Sequence, residues 1–248
     1  MTDDTIDDRT ADLRRRLIAV QARLADAVRA AGRPADDVDL LVVTKFFPAA
    51  DVVRLISLGV RDFGESREPE AGWKVAQVRE IAGEATGLHF DMIGSVQSKK
   101  ARGIAEWART VHSVDRDKVV DVLSRASVEA LDDHRRTDPL GVLLQVSLDG
   151  DPHRGGVLID ELPALAERVD ASAGLELRGL MVIAPVEGSP ADWMARAQEI
   201  RSGFIVDHPG ASVFSAGMSG DLEEAVAHGS TCVRVGTAIM GPRPLISH

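Results

Sequence analysis

The chain has 248 residues, a length that suits one barrel or two small domains. Lys plus Arg number 29 against 39 Asp plus Glu, a net charge of −10, which excludes the basic surface that nucleic-acid proteins use against phosphates. Hydrophobic residues make up 44% of the chain, enough for a core and too many for disorder, and with no tyrosine every mechanism built on a tyrosine acid, base or hydroxyl anchor is excluded.

Residues 1–9 are acidic and polar, unlike a signal peptide, and read as a disordered tail. Over 12–31, Leu13, Leu17, Val20, Leu24 and Val28 recur at three- and four-residue spacing, predicting an amphipathic helix that Gly32 and Pro34 stop. An alternation then begins: strand 40–43, helix 51–58 closed by Gly59, strand 60–64, helix 69–82, strand 89–94 and helix 97–107. It continues with strand 111–114, helix 118–131, strand 141–146, helix 160–169, strand 177–183, helix 191–205, strand 212–216, helix 221–227 and strand 232–235. Continuous apolar strands between helices indicate a parallel sheet covered by helices. Eight such steps, the last helix reduced to a short tail after Gly236, predict an α/β fold. The expectation is a single (β/α)8 TIM barrel over 10–248 with an extra N-terminal helix. A Rossmann sheet is disfavoured, because Thr44-Lys45-Phe46-Phe47-Pro48 follows the first strand where a glycine fingerprint would stand.

Cys232, the single cysteine, rules out an intrachain disulfide and a multi-cysteine zinc site. No apolar run approaches the roughly 18 residues of a membrane span, so a cytoplasmic protein is expected, bound to neither membrane nor nucleic acid. His89, His112, His134, His153, His208, His228 and His248 form no helical pair at metal spacing and carry little functional signal. Trp73, Trp107 and Trp193 fall in helical segments and read as packing anchors.

Lys45 stands at the C-terminal end of the first strand, where barrel enzymes place functional side chains. Strand parity groups Leu41, Val43 and Lys45, so an inward Val43 implies an inward Lys45, dehydrated and nucleophilic. Two later segments belong to the seventh and eighth βα loops, the usual phosphate site of a barrel. Phe214-Ser215-Ala216-Gly217-Met218-Ser219-Gly220-Asp221 is a small-residue turn entering a helix, and Asp221 with Glu224 has capping-box spacing. Val233-Arg234-Val235-Gly236-Thr237 runs from a strand into a glycine turn. Backbone N–H groups and hydroxyls at such turns suit an anion, making Ser215, Ser219, Gly236 and Thr237 a candidate phosphate cradle. Parity sets Val233 and Val235 against the helices and turns Arg234 inward, a costly place for a charge that serves no ligand. An inward lysine, an inward arginine and a phosphate cradle suit a phosphorylated carbonyl compound held as an imine, and pyridoxal 5′-phosphate (PLP) fits that description.

Further stretches carry a resemblance. Thr44-Lys45, Arg61-Asp62-Phe63-Gly64-Glu65, Ile93-Gly94-x-x-Gln97-Ser98-x-Lys100 and Val111-His112-Ser113-Val114-Asp115 follow one another in order. Arg178-Gly179-Leu180-Met181, Gly217-Met218-Ser219-x-Asp221 and Val233-Arg234-x-Gly236-Thr237-Ala238-Ile239 complete the set. Over roughly residues 10–243 the chain resembles the pyridoxal phosphate homeostasis protein family, single-domain relatives of the alanine racemase barrel. The resemblance implies that Lys45 forms the internal aldimine, that Ser219, Gly236 and Thr237 hold the phosphate with Gly217 and Met218 in the same turn, and that Arg234 faces the pyridine nitrogen. Ser66 stands where the family carries a cofactor-side asparagine, and Phe90-Asp91 replaces a Trp-His pair, removing a pocket-edge histidine. His153-Arg154-Gly155-Gly156 replaces a Ser-Lys-x-Gly segment.

The implied function is intracellular PLP homeostasis by storage, buffering or delivery, without efficient catalysis, in a monomer with PLP-dependent apoenzymes as acceptors. An amino-acid racemase is the alternative, but two-base racemisation there pairs the cofactor lysine with a tyrosine, and the chain ends soon after the eighth strand, before any second domain. A cation at the pyridine nitrogen also weakens the ring as an electron sink. A Schiff-base aldolase on a phosphosugar is the third reading, with Glu65 its one obvious acid–base.

Overall fold

The structure is a computed structural model that describes residues 7–83, 85–151 and 154–243; the expectations touching residues 1–6, His153 and His248 lie outside these. In chain order it runs α1 (Asp8–Ala30), β1 (Asp39–Val43), α2 (Ala49–Ser57), β2 (Asp62–Glu65), α3 (Glu70–Ala82), β3 (His89–Met92), α4 (Ala101–Trp107), β4 (Thr110–Val114) and α5 (Asp117–Asp132). It continues with β5 (Leu140–Val146), α6 (Leu162–Asp170), β6 (Leu175–Val182), α7 (Pro190–Asp207), β7 (Val213–Ser215), α8 (Leu222–Ala227), β8 (Cys232–Val235) and α9 (Thr237–Met240). All neighbouring strands pair in parallel, and β1 pairs with β8 through Leu41↔Arg234 and Val42↔Val235, closing the barrel. The (β/α)8 TIM barrel with an N-terminal helix is therefore the observed fold.

Alternation along each strand creates two environments. Val42, Phe63, Phe90, Val142, Phe214 and Val235 point outward and join the helices in one apolar cluster, with Phe63 and Phe90 stacked at 5.3 Å between centroids. The opposite face fills the barrel, and there the aliphatic Leu41 and Leu143 share space with buried Asp91, His112, Ser215 and Arg234. Most barrels stack branched aliphatic layers in that space. This one has a polar column.

The stripe predicted for α1 is buried as expected, from Leu13 to Val28. Its start is earlier than predicted, because the Asp7 carboxylate accepts the Thr10 N–H at 2.8 Å and caps the helix. Residues 7–9 of the expected tail are thus ordered, and Arg9 donates to Asp51 at 2.7 Å and to the Met240 carbonyl at 3.0 Å. Trp107 is buried as an anchor, with its indole N–H on Glu68 at 2.9 Å. Trp73 is not an anchor: Ala71, Val75 and Val78 form the buried face of α3, which leaves Trp73 exposed.

Candidate functional site

Lys45 lies just beyond β1, on the C-terminal rim. The expected dehydration is not observed. Phe46 adopts φ 72°, which turns the chain away from the strand line, and Lys45 is exposed with Nζ 5.8 Å from the Phe46 ring centroid. Directly before it, the Thr44 hydroxyl donates to Glu65 Oε1 at 2.6 Å, and Lys74 on α3 donates to Glu65 at 2.8 Å and to the Thr44 carbonyl at 3.0 Å. Glu65 follows the outward Phe63 in parity, so its carboxylate serves the barrel–helix interface and is withdrawn from the rim. That removes the acid–base group on which an aldolase reading depended.

Arg234 points inward as parity predicted and is 5% exposed. Nη1 donates to Ser215 Oγ at 2.6 Å and Nη2 to the Val182 carbonyl at 2.8 Å, at the C-terminal end of β6. Both acceptors are neutral, and burial lowers the pKa of a guanidinium that forms no ion pair among the described residues. Ser215 departs from the expected cradle. It is the last residue of β7, faces the barrel interior with no exposed surface, and has its hydroxyl engaged by Arg234 and by His112 Nδ1 at 3.0 Å.

The remaining cradle residues lie together on the rim. Gly217 has φ 91°, and a Cβ there would stand 2.5 Å from that of Ala225, so only glycine allows this close turn into α8. The expected capping box does not form, because the Asp221 carboxylate reaches back to the Met218 N–H at 2.6 Å and makes no cap bond to α8. From α1, Arg23 donates to the Ser219 carbonyl at 2.7 Å and pairs with Glu223, clamping the turn. Ser219 and Gly236 are half-buried, and Met218 and Thr237 are exposed. The Val42↔Val235 register brings the Gly236–Thr237 turn beside the end of β1 that carries Lys45. Ser66, half-buried, follows β2 on the strand next to β1, and a Cβ on Gly94 would meet its carbonyl oxygen at 2.1 Å. Next to Gly94 a cavity of about 290 Å³ is lined by Ser95, Gln145, Ser147 and Arg154, whose guanidinium pairs with Asp149 at 2.8 Å.

Two residues gain a place that sequence reading did not give them. Asp91 is not at a pocket edge; it is inside the barrel, 1% exposed, with Arg109 bonded to both its oxygens at 3.0 and 2.6 Å. Burial works to raise its pKa, but hydrogen bonds from His112 and Arg109 prevail and hold it at about 2. His112, assigned no role above, joins Asp91 to Ser215. The parity rule that turned Arg234 inward applies equally to Asp91 between outward Phe90 and Met92, and that was the available signal. Among the described residues, no cluster of His, Cys, Asp and Glu could hold a metal ion, and no helix is long and apolar enough to cross a membrane.

Residues 16–244 match the alanine racemase, N-terminal domain family. A pyridoxal phosphate homeostasis protein of Mycobacterium tuberculosis is 48% identical over 249 residues, covering 97% of this chain and 96% of the relative. The chain belongs to the pyridoxal phosphate homeostasis protein family. Within solved structures, this homeostasis-family chain is similar to PipY of Synechococcus elongatus with PLP bound, at 28% identity and TM-score 0.76 over 92% of this chain and 100% of that one. An alanine racemase of Clostridium difficile, at 14% identity and TM-score 0.66, covers 91% of this chain and 57% of its own, and shares the fold alone.

Proposed function

We propose that this chain binds PLP and serves its storage, buffering or delivery without efficient turnover. The observation that carries the reading is Arg234, a buried guanidinium bonded only to neutral acceptors at the mouth where Lys45 presents its amine. The donor set suits the cofactor: an amine for an aldehyde, a cation for a ring nitrogen, and Ser219, Gly236 and Thr237 with Gly217 and Met218 for a phosphate. When bound, PLP supplies an aldehyde that condenses reversibly with amines. Ser66 borders the same rim.

The residues also favour holding over turnover. No tyrosine exists to supply a second base, and Glu65 is tied to Lys74 and Thr44. A guanidinium facing a pyridine nitrogen disfavours its protonation, which weakens the ring as an electron sink. The exposed Lys45 suits exchange with an apoenzyme acceptor, and we extend the reading to a monomeric carrier in the cytoplasm.

An absorbance titration with PLP tests this. The protein should turn yellow, and borohydride should fix the label on Lys45. Lys45→Ala should lose the fixed label while keeping weaker, phosphate-driven binding. A colourless protein that takes up no PLP overturns the reading, and α-proton exchange or racemisation of amino acids at enzyme-like turnover overturns its non-catalytic part.

A further inference from the structure

The column beneath Arg234 runs through β7, β4, β3 and β2. Arg234 Nη1 donates to Ser215 Oγ at 2.6 Å, Ser215 meets His112 Nδ1 at 3.0 Å, and His112 Nε2 meets Asp91 Oδ2 at 3.3 Å. Arg109 holds Asp91 through two bonds and reaches Asp62 Oδ1 at 2.8 Å, where His89 Nδ1 also approaches at 3.1 Å. Asp62 and His89 begin their strands, so the chain of contacts spans the barrel from its N-terminal to its C-terminal mouth. We propose that Asp91 and His112 are positioning residues for Arg234, fixing through Ser215 the direction in which the guanidinium meets the ring nitrogen of PLP. The proposal rests on the PLP reading above.

Hydrogen-bond accounting favours one arrangement of protons. Arginine only donates, so Ser215 Oγ accepts from Arg234; the oxygen has room for a second donor, but among the described residues His112 Nδ1 is the one acceptor for its own proton. His112 therefore carries its hydrogen on Nε2 and donates to Asp91. A protonated His112 would aim a second donor at Ser215 and leave the hydroxyl proton without its acceptor. Burial lowers the His112 pKa, Asp91 opposes the shift, and Arg234 and Arg109 reinforce it, in agreement with the neutral ring. The other charged or titratable groups around the column are Asp39 on β1, Asp62 on β2, Arg178 on β6 and Cys232 on β8, which line a cavity of about 110 Å³ at the N-terminal mouth. A neutral histidine thus relays the fixed charge of Asp91 to Arg234 without pairing with it.

The full-length chain and its Asp91→Asn, His112→Leu, His112→Asn and Ser215→Ala variants test the proposal. In PLP-free protein, 15N resonances of the His112 ring should report the neutral Nε2–H tautomer at neutral and alkaline pH. With PLP added, His112→Leu, Ser215→Ala and Asp91→Asn should weaken retention about tenfold and shift the pH profile of the bound chromophore, while borohydride still labels Lys45. His112→Asn, whose amide oxygen can still accept from Ser215, should recover most of the wild-type spectrum. An Nδ1–H or protonated ring overturns the proposal, as do folded variants with wild-type affinity and pH profile. If His112→Leu does not fold, Ser215→Ala and the ring resonances decide the outcome. Wild-type protein that takes up no PLP overturns the underlying reading instead, and the ring resonances still report whether the column is built as described.

Discussion

Asp91 accepts two N–H bonds from Arg109 and one from His112 in a place with almost no exposure. Truncating one partner of a buried charge pair strands the other, so Asp91→Ala should cost about 3 kcal/mol in denaturant unfolding. With its folded pKa at about 2 against 3.8 unpaired, Asp91 contributes stability that is present above 3.8 and lost as the pH falls toward 2. His112 acts in a higher window. Its folded pKa lies below 6.5, so its contribution is complete above 6.5 and declines as the pH drops beneath that value. Thermal melts from acid to neutral pH should therefore show two declining arms in the wild type, the upper one flattened in His112→Asn and the lower one in Asp91→Asn. At this scale the sequence was only half legible. The inward turn of Arg234 followed from the valines beside it, whereas Asp91 precedes Arg109 by 18 residues and His112 by 21, and the three become one network only when β3 and β4 lie side by side. Lys45 misled for a local reason: parity ends where the strand ends, at Val43, and Lys45 already lies in the turn closed by the Phe47 N–H on the Thr44 carbonyl.

The junction of β1, β2 and α3 depends on Lys74, which neutralises the buried Glu65 and also holds the carbonyl before Lys45. Lys74→Met should destabilise the protein by about 3 kcal/mol, because it leaves a buried carboxylate unpaired, and adding Glu65→Gln should recover much of that loss. Failure of the second substitution to rescue would show that the lysine acts by packing instead. Element positions themselves were readable. Apolar runs bounded by glycine and proline marked each strand to within a few residues, since burial on both faces leaves strands little choice of composition. The fate of Asp221 was not readable, because capping-box spacing does not tell whether a carboxylate turns forward to its helix or back to Met218.

Across the molecule, α1 is more than an appendage, for it reaches the β7–α8 turn through Arg23 and α2 and α9 through Arg9. The Arg23–Glu223 pair is partly exposed and contributes little to stability, on the order of 1 kcal/mol or less. Arg23→Ala should therefore barely move the unfolding midpoint yet speed PLP dissociation, by freeing the Ser219 carbonyl and its turn. Equal losses in both measurements would mean that α1 only supports the fold. The lack of tyrosine has one more consequence. Emission in the indole range arises from three tryptophans alone, one exposed on α3, one buried on α4 against Glu68 and one on α7 bonded to the Glu187 carbonyl. With no tyrosine signal beneath them, single-tryptophan versions would give three optical probes on three sides of the barrel, ready to follow cofactor loading by energy transfer without an added dye.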